Sequence, residues 1–197
     1  MSPELHAARC GNITASRIVD VMMKPDAAGY RNYFAELVTE RLTGQQEEGF
    51  TTKDMEWGNT WEPVARAAYE AECGVFVNES GYVPHPRILR SGASPDGLVN
   101  GDGLIEIKCR KTAQHLATIT DGKIKREQMF QMQWQMACTG RMWCDSVSFD
   151  PRLPYHLQLH IIRVEADPKM IAEISIKVQE FDAEVEAMLE KLAKVPA

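Results

Sequence analysis

Residues 92–109, GASPDGLVNGDGLIEIKC, constrain the fold most, because they set an acid in a tight Pro-Asp-Gly bend and a Glu and a Lys two apart in an apolar run of the same hairpin. The turn chemistry at Asn100-Gly101-Asp102-Gly103 marks the reversal. Along the second arm, period-two alternation puts Leu104, Glu106 and Lys108 on one face and Ile105, Ile107 and Cys109 on the other, the second being the expected core face. Pairing Val99 with Gly103 around a loop of residues 100–102 sets Asp96 opposite Glu106. Cβ atoms so opposed lie ~4.5–5.5 Å apart. A slip of one residue would turn the two acids to opposite faces, unless a bulge near Gly97 restored the geometry. In register, they repel and lose hydration together, so the pattern calls for a compensating cation, and carboxylate oxygens suit Mg²⁺ or Mn²⁺.

Three helices are expected ahead of the hairpin. ITASRIVDVMMKP offers Thr14 or Ser16 as an N-cap, Ile18, Val21 and Met22 at helical spacing, and a stop at Lys24-Pro25. Tyr33, Leu37, Val38 and Leu42 form a second stripe ending at Gly44, and a third runs from Trp57 through Val64, Ala68 and Tyr69 to Gly74. Glu62 precedes Pro63, which disfavours helical geometry and predicts a helix start or kink there. VFV and GYVPHP then read as strands with the hairpin.

Helical texture returns at TAQHLATIT and over 124–139, where Gln128, Gln131 and Gln135 share one face and Met129, Met132 and Met136 a core stripe. WCDSVSFDP and YHLQLHIIRVE read as strands, and residues 167–193 as a long helix. His156 and His160 are four apart on that strand, a spacing that builds no helical ligand pair, so both read as structural. The layout is α/β, a central sheet flanked by helices, in one domain over residues 1–197 with no repeat or low-complexity segment.

Composition narrows the function. No apolar run reaches the ~18 residues of a membrane span and MSPELHAARCGN has no export signature, so a soluble cytoplasmic protein is expected. Five scattered cysteines without a C-x-x-C pair argue against a disulfide framework, a zinc site or an iron–sulfur cluster. A net charge of −6 disfavours a general nucleic-acid binder. Between residues 108 and 126, however, Lys108, Arg110, Lys111, Lys123, Lys125 and Arg126 face only Asp121, a local positive strip that suits a polyanionic substrate beside a metal site.

Ser94-Pro95-Asp96 with Glu106-Ile107-Lys108 resembles the PD-(D/E)XK nuclease signature. The wider series GNITASRI (11–18), WGNTWEPVARAAYE (57–70), SPDGL (94–98), IEIKC (105–109), QMFQMQWQMAC (128–138) and FDPR (149–152) is similar in order to the phage lambda exonuclease and YqaJ-like viral recombinase family. That resemblance spans almost the whole chain. It implies a restriction-endonuclease-like core with N-terminal helices and a long C-terminal helix. It also implies a 5′→3′ double-strand DNA exonuclease, which releases 5′-mononucleotides and leaves 3′ tails for a single-strand annealing partner. Asp96, Glu106, Glu62 and the Ile107 carbonyl would hold two Mg²⁺ ions, with Mn²⁺ substituting, and Lys108 would orient or deprotonate the attacking water, its proton affinity lowered by the metal charge.

The same resemblance implies a 5′-phosphate pocket of Arg9, Ser16 and Ser94. A position of Ser16 in the first turn of the first expected helix, and the Arg9 fork, would favour an anion there. Gln131 matches a glutamine that faces the site in related nucleases, whereas Gln128 stands where they usually carry Tyr. By analogy a homotrimeric ring would encircle DNA, with Arg110, Lys111, Lys123, Lys125 and Arg126 lining the channel of a phage- or prophage-encoded enzyme. The alternatives are an endonuclease of the same core, which would cut closed circles, and a non-catalytic DNA-binding recombination module.

Overall fold

The computed structural model describes residues 3–46 and 52–196. Among them lie seven α-helices and eight strands in the order α1 (Pro3–Arg9), β1 (Ile13–Thr14), a 3₁₀ turn (Ala15–Arg17), α2 (Ile18–Val21), α3 (Ala28–Thr43), α4 (Lys53–Cys73), β2 (Val77–Asn78), β3 (Val83–Pro84), β4 (Ser91–Ala93), β5 (Gly97–Val99), β6 (Gly103–Cys109), α5 (Thr112–Asp121), α6 (Arg126–Thr139), β7 (Trp143–Phe149), β8 (Leu159–Glu165) and α7 (Pro168–Leu192).

β6 is the middle strand of a five-stranded sheet ordered β2-β5-β6-β7-β8. It runs parallel to β7, while the other neighbours pair antiparallel, so α5 and α6 form the crossover that a parallel pair requires. Val99 pairs with Gly103 and Gly97 with Ile105, the register expected from the sequence. A small second sheet, β1-β4-β3, stands beside it.

Both faces of β6 are buried, which corrects the single core face expected from alternation. Ile105 and Ile107 pack with Val99, Val147 and Phe149 under Ala65 and Tyr69 of α4. Leu104, on the face of Glu106, packs with Met132 and Met136 of α6. A central strand of a mixed sheet is covered on both sides, so its charged positions are interior too. The remaining core joins α2, α3, α6 and α7 through Tyr33, Leu37, Trp134, Ile174, Val178 and Phe181.

α4 is capped by the Thr52 hydroxyl, which accepts the Met55 N–H at 3.2 Å, and it ends at Gly74 with φ 63°. It continues through Pro63, so no helix starts there, contrary to one of the two expectations for Glu62-Pro63. Proline in a helix interior costs ~3 kcal/mol, and burial of Ala65 and Tyr69 beyond it offsets that cost. Four further expectations fail locally. An additional helix, α1, precedes the three expected ones. The first expected helix is a 3₁₀ turn followed by only four residues of α2, and Thr14 makes no side-chain cap. Leu42 and Val64 are exposed despite their apolar spacing. β8 begins only at Leu159, and His156 lies in a preceding 3₁₀ turn over Tyr155–Leu157.

Candidate active site

The hairpin delivers its acids to one opening. Asp96 lies just before β5, and the β5–β6 register, extended by one pair, sets it across from Glu106. Its Oδ2 accepts the Ile107 N–H at 2.7 Å. Gly97 fits closely there: a Cβ at that position would fall 2.1 Å from Cγ1 of Val77, so a side chain would force Val77 or its strand to shift.

Glu106 is 1% exposed and accepts from three side chains. Its Oε1 accepts Gln131 Nε2 at 2.8 Å and lies 2.5 Å from Lys108 Nζ, while Oε2 accepts Gln135 Nε2 at 2.6 Å. Burial, then the Glu106 and Glu62 charges, raise the Asp96 pKa well above the usual carboxylate range, although Lys108 and the Ile107 N–H pull the other way. The Glu106 charge raises the Lys108 pKa against its burial, so the amine is firmly cationic. The lowering expected beside a metal would act against this pairing.

Glu62, from the turn of α4 just before Pro63, lines the same opening. Arg66, one turn along, donates to Glu62 Oε1 at 3.2 Å and to the Asp96 main-chain carbonyl at 3.1 Å. Sequence reading missed both Arg66 and Gln135. Their signals were the i, i+4 relation of Arg66 to Glu62 and the position of Gln135 on the glutamine face.

The opening has two lobes that share Asn59, Glu62, Asp96 and Lys108. One, of about 720 Å³, is lined also by Arg9, Ser16, Ser94, Glu106 and Gln131. There Arg9 Nη2 donates to Ser16 Oγ at 3.3 Å, and the buried Ser94 Oγ has no hydrogen-bond partner among the described residues. Ser16 sits in the 3₁₀ turn, so the helix-dipole argument made for it fails, because a one-turn element carries little aligned dipole. What remains is the Arg9 guanidinium beside two hydroxyls.

The second lobe, of about 520 Å³, is lined by Trp57, Arg110, Lys111 and Arg152 among others. The basic strip is therefore divided. Arg110 reaches inward to Gln128 Oε1, and burial lowers its pKa. Gln128 is itself buried and donates to Ser146 at 2.7 Å, tying Arg110 to β7. Lys111 is exposed and pairs with Asp54 at 2.9 Å. Lys123, Lys125 and Arg126 are exposed outside both lobes, Lys125 3.8 Å from Glu127 and Arg126 over the Phe130 ring at 5.0 Å.

Among the described residues, no three Asp, Glu, His or Cys side chains are gathered as a ready-made metal nest. The donor chemistry nonetheless fits a hard divalent ion. Asp96, Glu106 and Glu62 line one lobe with oxygen donors, and Lys108 and Arg66 are the cations now holding their charges.

A mixed sheet with an acid before one strand and Glu-x-Lys on the next, covered by helices on both faces, defines a nuclease fold of the PD-(D/E)XK type. Within that class the chain belongs to the YqaJ-like viral recombinase family, whose model matches residues 4–142. It is similar to an alkaline exonuclease, LHK-Exo, from Laribacter hongkongensis, at 51% identity over 98% of this chain and 97% of that one, TM-score 0.93. LHK-Exo in complex with dAMP matches at 52% identity over 97% and 96% of the two chains, also at TM-score 0.93. A phage-related exonuclease from Haemophilus somnus 129PT shares the fold at 14% identity over 92% and 96% of the chains, TM-score 0.75. A comparison with curated proteins finds no match.

Proposed function

We propose that the protein is a metal-dependent 5′→3′ double-strand DNA exonuclease that releases 5′-mononucleotides and leaves 3′ single-stranded tails. The observation that carries this reading is the convergence of Asp96, Glu106 and Lys108 on the opening that also holds Arg9, Ser16 and Ser94. An acid pair with a lysine suits phosphodiester hydrolysis, and an arginine with two hydroxyls suits a terminal phosphate. The likeness to LHK-Exo, an alkaline exonuclease, supports the reaction class.

Asp96, Glu106, Glu62 and the Ile107 carbonyl would hold two Mg²⁺ or Mn²⁺ ions, which would supply charge neutralisation at phosphorus and a more acidic water. The protein's own groups do the rest. Gln131 and Gln135 fix the Glu106 carboxylate, so its lone pairs are aimed before substrate arrives. Lys108, drawn to Glu106, orients the attacking water and takes part in moving its proton. Arg9, Ser16 and Ser94 fix the terminal phosphate, which sets the cut one nucleotide from the end.

The wider reading rests on the family. It is a single nuclease domain that assembles as a homotrimeric ring on duplex ends. It would hand its 3′ tails to a single-strand annealing protein, and it would be phage- or prophage-encoded and act in the bacterial cytoplasm. No helix among the described residues is long and apolar enough to cross a membrane.

The test is mononucleotide release from linear duplex labelled at either the 5′ or the 3′ ends, with 5′-phosphate and 5′-hydroxyl termini compared. Release from 5′-phosphorylated ends in preference to both others is expected. Linearisation of a closed circle would favour an endonuclease, and binding without release a non-catalytic module.

A further inference from the structure

The FDPR segment at 149–152 takes no part in the chemistry above, yet it is built with unusual care. Asp150 is 0% exposed. Its oxygens accept Thr112 Oγ1 at 2.6 Å, the Arg152 N–H at 3.0 Å, and Arg152 Nε and Nη2 at 2.7 and 2.9 Å. Arg152 Nη2 also reaches the Arg110 carbonyl at 3.3 Å. The guanidinium so locked lies 4.5 Å from the centroid of the Trp57 ring. Arg152 stays 47% exposed, and no hydrogen bond from its Nη1 is found among the described residues.

An Arg–Asp pair could serve only to brace a loop. A brace does not need its cation half open to a cleft and stacked on an indole. Trp57 and Arg152 both line the second lobe, which meets the first at Asp96 and Lys108. The proposed reaction centre therefore stands at the junction, with Arg9, Ser16 and Ser94 on one side and Trp57 and Arg152 on the other. A strand with its terminal phosphate in the first lobe and its next phosphate at the junction has the second lobe as a path onward.

We propose that the Trp57–Arg152 pair, fixed by Asp150, is the binding platform for the DNA strand on the 3′ side of the scissile phosphate. This rests on the exonuclease reading. Arg152 Nη1 serves a backbone phosphate, and the indole gives a flat surface for sugar and base. Pre-fixing the guanidinium removes the rotamer entropy that a free arginine would lose on binding.

The test is binding by the whole chain in EDTA, where no hydrolysis occurs, of a 5′-phosphorylated duplex over a salt series, with dAMP measured by competition. Arg152→Ala should weaken duplex binding about tenfold and reduce the salt slope by about one phosphate contact, while dAMP, whose lone phosphate the proposed pocket of Arg9, Ser16 and Ser94 would hold, should bind as before. Trp57→Ala should weaken duplex binding severalfold with the slope kept. Arg152→Ala leaves Asp150 buried without its cation, so Arg152→Gln is measured beside it, and Trp57→Ala carries the test without touching Asp150.

Duplex affinity and slope unchanged in Trp57→Ala and in a folded Arg152 variant would overturn the proposal. So would equal losses for duplex and dAMP, which signal a general distortion. If the wild-type chain binds duplex through Arg152 but releases nothing from ends, the exonuclease reading fails and the 3′-side assignment with it, while the Trp57–Arg152 contact to DNA is kept.

Discussion

Gln135 donates its side-chain amide to Oε2 of Glu106 at 2.6 Å, one helical turn beyond the Gln131 amide that holds Oε1. Both oxygens of a buried acid are thus addressed from a single face of α6. Gln135 lines neither lobe of the cleft, so on the proposed reaction it would act through Glu106, as a positioning residue.

Gln135→Leu should lower turnover more than tenfold with KM for duplex little changed, because Glu106 loses its aim rather than the DNA its contacts. Leaving Oε2 unpaired should also cost ~1–3 kcal/mol of stability. Steady-state kinetics and urea unfolding check both, and a rise in KM with kcat kept would contradict the assignment.

Lys108→Ala should abolish mononucleotide release while duplex binding in EDTA survives. The same substitution frees Glu106 Oε1 of its 2.5 Å partner, so the protein should remain folded but lose some stability. Retained turnover would remove Lys108 from the chemistry.

Chelation should stop the reaction, and either Mg²⁺ or Mn²⁺ should restore it. Because the acids repel until a cation joins them, Mn²⁺ alone should raise the melting temperature, by ~2.7 kcal/mol of stability at a hundred times its Kd. Asp96→Asn should abolish that rise. A Mn²⁺ effect equal in wild type and Asp96→Asn would place the ion elsewhere.

Gly97→Ala should destabilise the protein and disable the site together, since its Cβ would fall 2.1 Å from Val77 Cγ1. Adding Val77→Ala should restore much of the stability and part of the activity. Thermal melts and duplex digestion of the single and double variants measure the coupling.

Asp150 gives a pH signature. Burial pushes its carboxyl up, but the Arg152 and Thr112 hydrogen bonds outweigh burial and bring the pKa down to about 2. A folded value below the unfolded ~3.9 contributes stability that is complete above pH ~4 and is lost as pH falls toward 2, of order 2 kcal/mol or less with Arg152 half in solvent. Urea unfolding should show the gap between wild type and Asp150→Asn narrowing below pH 4.

The hairpin was legible in the sequence because turn residues and period-two alternation are local signals, and they placed Asp96 opposite Glu106 correctly. What fixes those acids was less legible. Arg66 acts across to the Asp96 carbonyl, 30 positions on, and Gln135 across to Glu106, 29 positions back, and such contacts leave no spacing rule in the chain. The strands β1, β3 and β4 have two or three residues each, too few for alternation to register. Pro63 misled because its local penalty is set against burial contributed by residues of the distant sheet. The basic strip forms no single surface: the turn after α5 and the start of α6 carry Lys123, Lys125 and Arg126 away from the lobe that Arg110 and Lys111 line.

The central place of β6, flanked by β5 and β7, puts the proposed reacting groups Glu106 and Lys108 on the strand expected to open last. Amide protons of this strand should exchange only through global opening, so heating should silence the enzyme at the same temperature at which it melts. Adaptation to different DNA ends is then left to the cleft walls contributed by α1 and the start of α4, which can change without disturbing that strand.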